Sequence, residues 1–498
     1  MAISSPGLGS GLNITSIVSQ LVAVESLPVQ LLQKKSSVLQ TKLSVFGQIK
    51  SELSALKEAA SALTDLPTWN SKSFTSSNAA VTGTSTSEAA VGSFSVEVQN
   101  LVTTQSATVE VPTGYQSTGT YTLNIQLGTR VSKTAQSTQL AKDDLFTPGS
   151  VKAEPITVKK GDTLADIAAS INADSNSGVV ATVITTTAGT QKLALRGSAA
   201  GANAGFQISS TGVTSTNPDG LLQEMLITDP TDATKQISQT PKVFANVGAW
   251  ATTQYAADAK ATIDGIAVTS STNTITGVVA GVTLNLLSPT TSSASISVDT
   301  DKAGIKTKIQ AFQDAYNKLY SDLKTQTAYD AASKTGGPLL GDNTANSMMS
   351  MLRNVVGANG PASGNSLLRL SDLGMQIQSD GLLKTNASTL DAAMQTPGNV
   401  KALFSGSSDS TGGYGIARRM YDFAFGALGV GGSVSTHSTA FQKSIDRNTA
   451  DIDKFNSHIA AYQKQLLAQY TALDTNMAKL NSLSTYVSQQ LAQWNKTS

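Results

Sequence analysis

The sequence predicts a multidomain α+β protein whose helical ends enclose a β-rich middle. Three observations carry this. Apolar residues step by threes and fours at both ends of the 498-residue chain, which is the helical period. Between the ends, runs such as Ala90–Val102 and Gly119–Leu127 alternate apolar and polar, the strand period. Helical spacing then returns from Ile305. The chain thus leaves along one helical layer, builds nested β domains and comes back, with its two ends together.

The first helix is expected from Ile14, with Ile14, Ile17, Val18, Leu21 and Val24 at helical spacing behind Asn13, a good N-cap residue. Pro28 has no N–H to donate and should break or kink the run. Helical spacing resumes through Leu31, Leu39, Phe46, Leu53 and Leu63. Ahead of the cap, Gly7, Gly9 and Gly11 alternate. A dinucleotide loop needs G-x-G-x-x-G after a strand. Here the third spacing differs and only six residues precede Gly7. A P-loop's Lys and Ser/Thr are missing too. The three glycines read as a pliable lead into the helix and, with Pro28, as hinge points.

Strand-like runs continue at Val179–Thr187 and Lys192–Leu195. Residues 261–288 read as successive Thr-rich strands with a hairpin at Asp264-Gly265. Residues 128–155 and 197–241 are rich in turn formers and are expected to be joints or inserted loops. The stretch Gly161-Asp162-Thr163-Leu164 resembles, taken alone, the start of a LysM peptidoglycan-binding module. Its plain content is a helix capped by Asp162 or Thr163 with Leu164, Ile167 and Ile171 on one face. The strand-like VVATVITTT that follows favours a capped helix inside an α+β domain.

The C-terminal end is the most regular. Ile452, Phe455, Ile459, Tyr462, Leu466, Tyr470, Leu473, Met477, Leu480, Leu483, Val487, Leu491 and Trp494 keep helical spacing, with no Pro or Gly after Gly432. A helix over 441–494 would be about 80 Å long, the size of a coiled coil or bundle member. From Gln465 onward only Asp474, Lys479 and Lys496 are charged. Soluble coiled coils set partner and register with charged flanking positions. This polar, uncharged outer face is expected to be covered by neighbouring copies.

Composition narrows the function classes. Lys plus Arg is 35 against 34 for Asp plus Glu, so no basic excess serves nucleic acid. The absence of cysteine removes disulfides, thiolate zinc sites and cysteine nucleophiles, and suits passage in an unfolded state. The first basic residue is Lys34 and no long apolar core precedes it, unlike a secretory signal. No run of about 18 apolar residues exists, so membrane insertion is not expected. The two histidines, His437 and His458, lie in no triad-like or metal-spaced pattern. Asp143 and Asp144 fall in a loop. No enzyme, catalytic residue, cofactor or metal is expected.

The opening GLGSGLNITSIVSQLVAVESLPVQLLQKK (7–35) is joined by ATIDGIAVTSSTNTITGVVAGVTLNLLS (261–288), IQAFQDAYNKLYSDL (309–323), GPLLGDNTANSMMSMLRNVV (337–356) and LSDLGMQIQSDGLLKTNASTLDAAM (370–394). With GDTLADIAASIN and the closing helix, these segments resemble the flagellar hook-associated protein 2 family of filament caps, collinearly over nearly the whole chain. The likeness implies a terminal coiled-coil leg (1–43 and 450–498), a helical domain (44–75 and 300–449), a β-rich head (76–128 and 215–299) and a second head (129–214). It implies a cap at the distal end of the bacterial flagellar filament that retains exported flagellin and promotes its folding and insertion. Implied partners are further copies in a ring, commonly five, together with flagellin, hook–filament junction proteins and an export chaperone. Implied placement is extracellular, at the filament tip, after type III export without a cleaved signal. An adhesive role of the heads is a secondary expectation. The assembly interface is expected on Ile14, Ile17, Leu21, Val24 and Leu31 of the first helices. Their counterparts are Leu466, Tyr470, Leu473, Met477, Leu480, Val487 and Leu491. The alternative is a cell-wall-binding or adhesin protein, resting on the LysM-like segment. Another axial flagellar protein is a further rival, but 261–288 and 337–394 resemble the cap family instead.

Overall fold

A computed structural model describes residues 13–132, 144–152, 155–211, 225–229, 232–239, 251–361, 366–406 and 413–495. Gly7, Gly9 and Gly11 lie outside the described residues. The chain begins with α1 (Ile14–Glu25), α2 (Leu27–Thr64) and α3 (Leu66–Asn70). Strands β1 (Lys72–Ser76), β2 (Val81–Ser85), β3 (Gly92–Asn100), β4 (Ser106–Pro112), β5 (Tyr121–Ser132), β6 (Asp144–Lys152) and β7 (Ile156–Val158) follow. Helix α4 (Leu164–Ala173) precedes β8 (Val179–Thr185), β9 (Thr190–Gly197), β10 (Gly205–Thr211), β11 (Met225–Asp229), β12 (Asp232–Gln239) and β13 (Ala251–Gln254). Strands β14 (Ala259–Ile263), β15 (Ile266–Ser270), β16 (Thr274–Thr276), β17 (Val282–Leu286) and β18 (Ala294–Thr300) complete the middle. Helices α5 (Lys302–Thr327), α6 (Asn343–Gly357), α7 (Ala387–Ala393), α8 (Pro397–Ser405), α9 (Ile416–Leu428) and α10 (Ser433–Trp494) close the chain.

Two compact units result, residues 1–69 with 302–498, and residues 70–301. In the helical unit the 3.6-residue period places Phe46, Ile49, Leu53, Leu56, Ala60 and Leu63 of α2 on one buried face. Ile305, Ile309, Phe312, Tyr316, Leu319 and Leu323 of α5 meet them, with Leu352 of α6, Phe404 of α8 and Met420 of α9. Trp69 satisfies its indole N–H on the Leu63 carbonyl at 2.9 Å. Gly381 (φ +90°) lies against the Tyr320 ring, where an added Cβ would fall 2.3 Å from a ring carbon. Only glycine fits that approach.

A polar cluster joins α2 to α5. Lys318 Nζ lies 3.0 Å from Glu52 Oε1 and also pairs with Asp322, while Gln48 Nε2 donates to Asp322 Oδ2 at 2.8 Å. Burial, and then the neighbouring Asp322 carboxyl, raise the pKa of Glu52. Contact with Glu52 and with Lys318 lowers that of Asp322. The stability tied to protonated Glu52 is therefore present below its ordinary value of 4.5 and lost as pH rises through the raised one. That tied to Asp322 is present above 3.8 and lost as pH falls through its lowered value. Glu52→Gln keeps a donor toward Asp322 at every pH. We expect thermal melts at pH 7 to show about 1 kcal/mol of stabilisation, the net worth of one hydrogen bond. The gain should vanish near pH 4. Equal gain at both pH values would disprove the assignment.

The β unit holds two cores. One lies between the sheet β1-β18-β3-β14-β15 and the smaller sheet β16-β17-β2, around Val81, Val96, Val98, Leu284 and Ile296. The hairpin at its edge turns on Asp264 (φ 48°) and Gly265 (φ 79°), as the dipeptide predicts. The other core lies among β13-β4-β9-β8, β10-β5-β6-β12-β11 and helix α4, around Val109, Leu123, Ile167, Leu193 and Phe206. Thr163 caps α4 through a reciprocal box with Asp166, and the chain then enters β8.

The structure departs from the sequence reading in this unit. Residues 107–125 pack with 156–208 in one core, so the strand expected at Gly119–Leu127 stands in the second head core and not the first. The expected loops at 128–155 and 197–241 contain β6, β10, β11 and β12. Gly, Ser and Thr make β10 (GFQISST) read as a loop, but pairing with β5 from Gly205–Gly128 to Thr211–Thr122 decides it. Gly128 marks a register shift between β5 and β6, where an added Cβ would meet the Thr147 carbonyl oxygen at 2.3 Å.

Candidate assembly interface

The terminal helices form their own small cluster, away from the main helical core. Asn13 caps α1 by accepting from the Ser16 N–H at 3.0 Å. Ile14 and Val18 of α1 are buried against Leu466 of α10, with Val22, Tyr462 and Tyr470 packed around them. The buried stripe of α1 is therefore i, i+4, i+8. Of Ile14, Ile17, Leu21 and Val24, only Ile14 belongs to the buried cluster with the C-terminal helix. Ile17 is half-buried, while Leu21 and Val24 are exposed. Helix α1 carries two adjacent apolar stripes, and among the described residues only one joins a buried cluster.

Pro28 sits in the first turn of α2, where its missing N–H is no loss. The break falls at Ser26, and α1 and α2 meet at a bend of 43°. Beyond the bend Leu27, Leu31 and Val38 stand exposed. No single helix among the described residues is long and apolar enough to cross a membrane.

Helix α10 runs 62 residues, about 90 Å. Its N-terminal part is fastened. Val434 is buried, and His437 Nε2 lies 2.8 Å from Asp342 Oδ2, the carboxylate that caps α6. The His437 ring packs between Phe46 and Phe441 at 4.8 and 4.7 Å. Asn448, buried, donates from Nδ2 to the Leu32 carbonyl of α2 at 2.6 Å. Sequence reasoning missed this residue because a lone Asn among Gln and Ser carries no periodic signal. His458 Nδ1 lies 3.7 Å from Glu25 Oε1 across α1 and α10.

Beyond Tyr470 the fastening ends. Tyr470 and Met477 are half-buried, and Leu473, Leu480, Val487 and Leu491 are exposed. Tyr470 still packs against Ile14 and Val18, whereas Leu473, Leu480, Val487 and Leu491 stand open within the chain. Leu483, Tyr486 and Trp494, the last 75% exposed, extend the same open surface. Leu473, Leu480, Val487 and Trp494 recur every seven residues, and Tyr470, Met477 and Leu491 precede the first, second and fourth of them by three residues. A seven-residue repeat is the seam of a left-handed helix pair. No group of three His, Asp or Glu among the described residues is placed to hold a metal.

Comparison with known proteins matches these features to one family. Residues 10–105 match the model for the flagellar hook-associated protein 2 N-terminus, and residues 256–482 that for its C-terminus. Residues 149–199 match the flagellin hook IN motif. The A-type flagellar hook-associated protein 2 of Pseudomonas aeruginosa is 29% identical over 499 residues, covering 98% of this chain and 96% of its own. Flagellar hook-associated protein 2 of Escherichia coli K12 is 27% identical over 503 residues, 98% of each chain. The crystal structure of the D1-D2-D3 domains of the flagellar cap protein FliD from Escherichia coli superposes with a TM-score of 0.52 at 24% identity, covering 80% of this chain and 99% of that one. That likeness shows a shared multidomain α+β fold. The chain belongs to the flagellar hook-associated protein 2 family, which is a structural family and not an enzyme family.

Proposed function

We propose that this protein caps the distal, extracellular end of a flagellar filament. The observation that carries the reading is the open heptad seam of α10, Leu473 to Trp494, on a chain of this family. Each such side chain gains about 1.5–3 kcal/mol on full burial, so the seam favours helical neighbours. The interface residues are Ile17, Leu21, Val24 and Leu31 of the first helices, with Leu473, Met477, Leu480, Val487 and Leu491. Ile14, Leu466 and Tyr470 hold the two helices of the leg together beneath them. Non-directional apolar contacts suit a leg that exchanges neighbours as subunits are added. The 43° bend at Ser26, just ahead of Pro28, serves as the hinge of the leg.

Copies form a ring, five being the number expected, whose legs lie among flagellin subunits. The heads retain exported flagellin and assist its folding. The chain reaches the tip by type III export, with a chaperone beforehand, and sits beyond the hook–filament junction proteins. Electron microscopy of purified protein added to depolymerisable filaments tests this. Rings seated at one filament end are the expected image. Binding to isolated peptidoglycan with bare filament ends would favour the cell-wall reading instead.

A further inference from the structure

Among the described residues strand β8 is an edge strand, the last in the order β13-β4-β9-β8. Its sequence, VVATVIT, is almost entirely β-branched, uncharged and free of proline. Such a segment on an open edge is a template for pairing with a second chain. Native edges are usually blunted by a charge, a proline or a bulge. Strand β8 has none of these: it pairs in unbroken register with β9 from Val179–Gly197 to Thr185–Gln191. Val180 and Ile184 are exposed on its outer face.

Two outward positions at its start, Val179 and Ala181, are instead taken by side chains. Asn172, in the last turn of α4, donates from Nδ2 to the Ala181 carbonyl at 2.9 Å. Its Oδ1 accepts from the Ala181 N–H at 2.8 Å. One carboxamide thus takes both backbone positions that an incoming strand would use. Two residues earlier, Ser177 Oγ donates to the Val179 carbonyl at 3.1 Å and lies 3.4 Å from the Val179 N–H. In an antiparallel ladder every second residue turns its N–H and C=O outward. Val179 and Ala181 are successive outward residues, and each is occupied.

We propose that Asn172, backed by Ser177, is an edge plug that keeps β8 from adding the β8 strand of a second copy. The carboxamide is the right group because it presents one donor and one acceptor in the plane of a peptide. This inference is independent of the capping reading.

The test uses the full chain carrying Asn172→Ala, and separately Asn172→Asp, which keeps the shape but loses the donor. Sedimentation velocity over a concentration series should show faster species absent from the wild type. Adding Ala181→Pro should remove them, since the outward N–H at that position serves no ladder bond and proline blocks strand addition. The proline restores no contact of Asn172, so rescue cannot come from repaired packing. Wild-type sedimentation of folded Asn172→Ala and Asn172→Asp would overturn the proposal. So would association that persists with Ala181→Pro. If both variants lose the circular-dichroism signature of the fold, Asn172 is a structural strut and the plug is refuted.

Discussion

Removal of residues 455–498 is expected to abolish filament elongation while leaving both folded units intact. The deletion takes away more than half of α10, yet Leu466 is the only buried residue among 455–494. The helical core keeps every α10 anchor it uses: Val434, His437 on Asp342, Phe441 on Phe46, and Asn448 on Leu32. The local cost is the exposure of Ile14 and Val18, about 1.5–3 kcal/mol for each side chain that loses its cover. That cost falls on α1 and not on either main core. Calorimetry should therefore show unchanged main transitions. In a strain relying on the truncated protein, flagellin should leave the cell unpolymerised. Elongation at the wild-type rate would sink the leg assignment. Loss of both transitions would show instead that α10 carries the fold.

The sequence made the helical ends legible because one face repeats over many turns and nothing interrupts it. Asn13, Pro28, the Asp264-Gly265 turn and the Thr163 cap were legible for a different reason. Each acts on its own backbone within a few residues, so no distant partner is needed to read it. What stayed hidden depends on distant contacts. Strand β10 is specified by β5, roughly eighty residues earlier, and its Gly and Ser content argues locally for a loop. The choice between the two apolar stripes of α1 is of the same kind. Ile14, Ile17, Leu21 and Val24 make as good a stripe as Ile14, Val18 and Val22. Only the position of Leu466 selects the second. The open seam of α10 follows from the same limit. Periodicity shows that a face is apolar, not whether the neighbour that covers it belongs to the same chain.

Phe312→Ala is expected to lower the melting transition of the helical unit by roughly 6–20 °C while that of the β unit holds, taking about 2–4 °C per kcal/mol for a domain of this size. Phe312 is fully buried on α5 and meets Phe404 edge-on at 6.1 Å, which in turn stacks with Trp69 at 6.4 Å. Truncating a buried Phe costs about 3–5 kcal/mol, because transfer energy is lost and a cavity remains. Collapse of the site is resisted on two sides. Leu319 and Tyr316 are held by the rest of α5, and the Tyr316 hydroxyl is tied to the Gly381 carbonyl at 3.1 Å. The upper half of the range is therefore the better expectation. Phe312→Leu, which fills most of the volume, should recover the larger part of the loss. Among the described residues, this core is drawn from the helical unit and the two β cores from the β unit. Two calorimetric transitions, of which only one moves, follow from that separation. If both fell together, the units would unfold as one cooperative body, and the independence assumed for the truncated protein would fail with it.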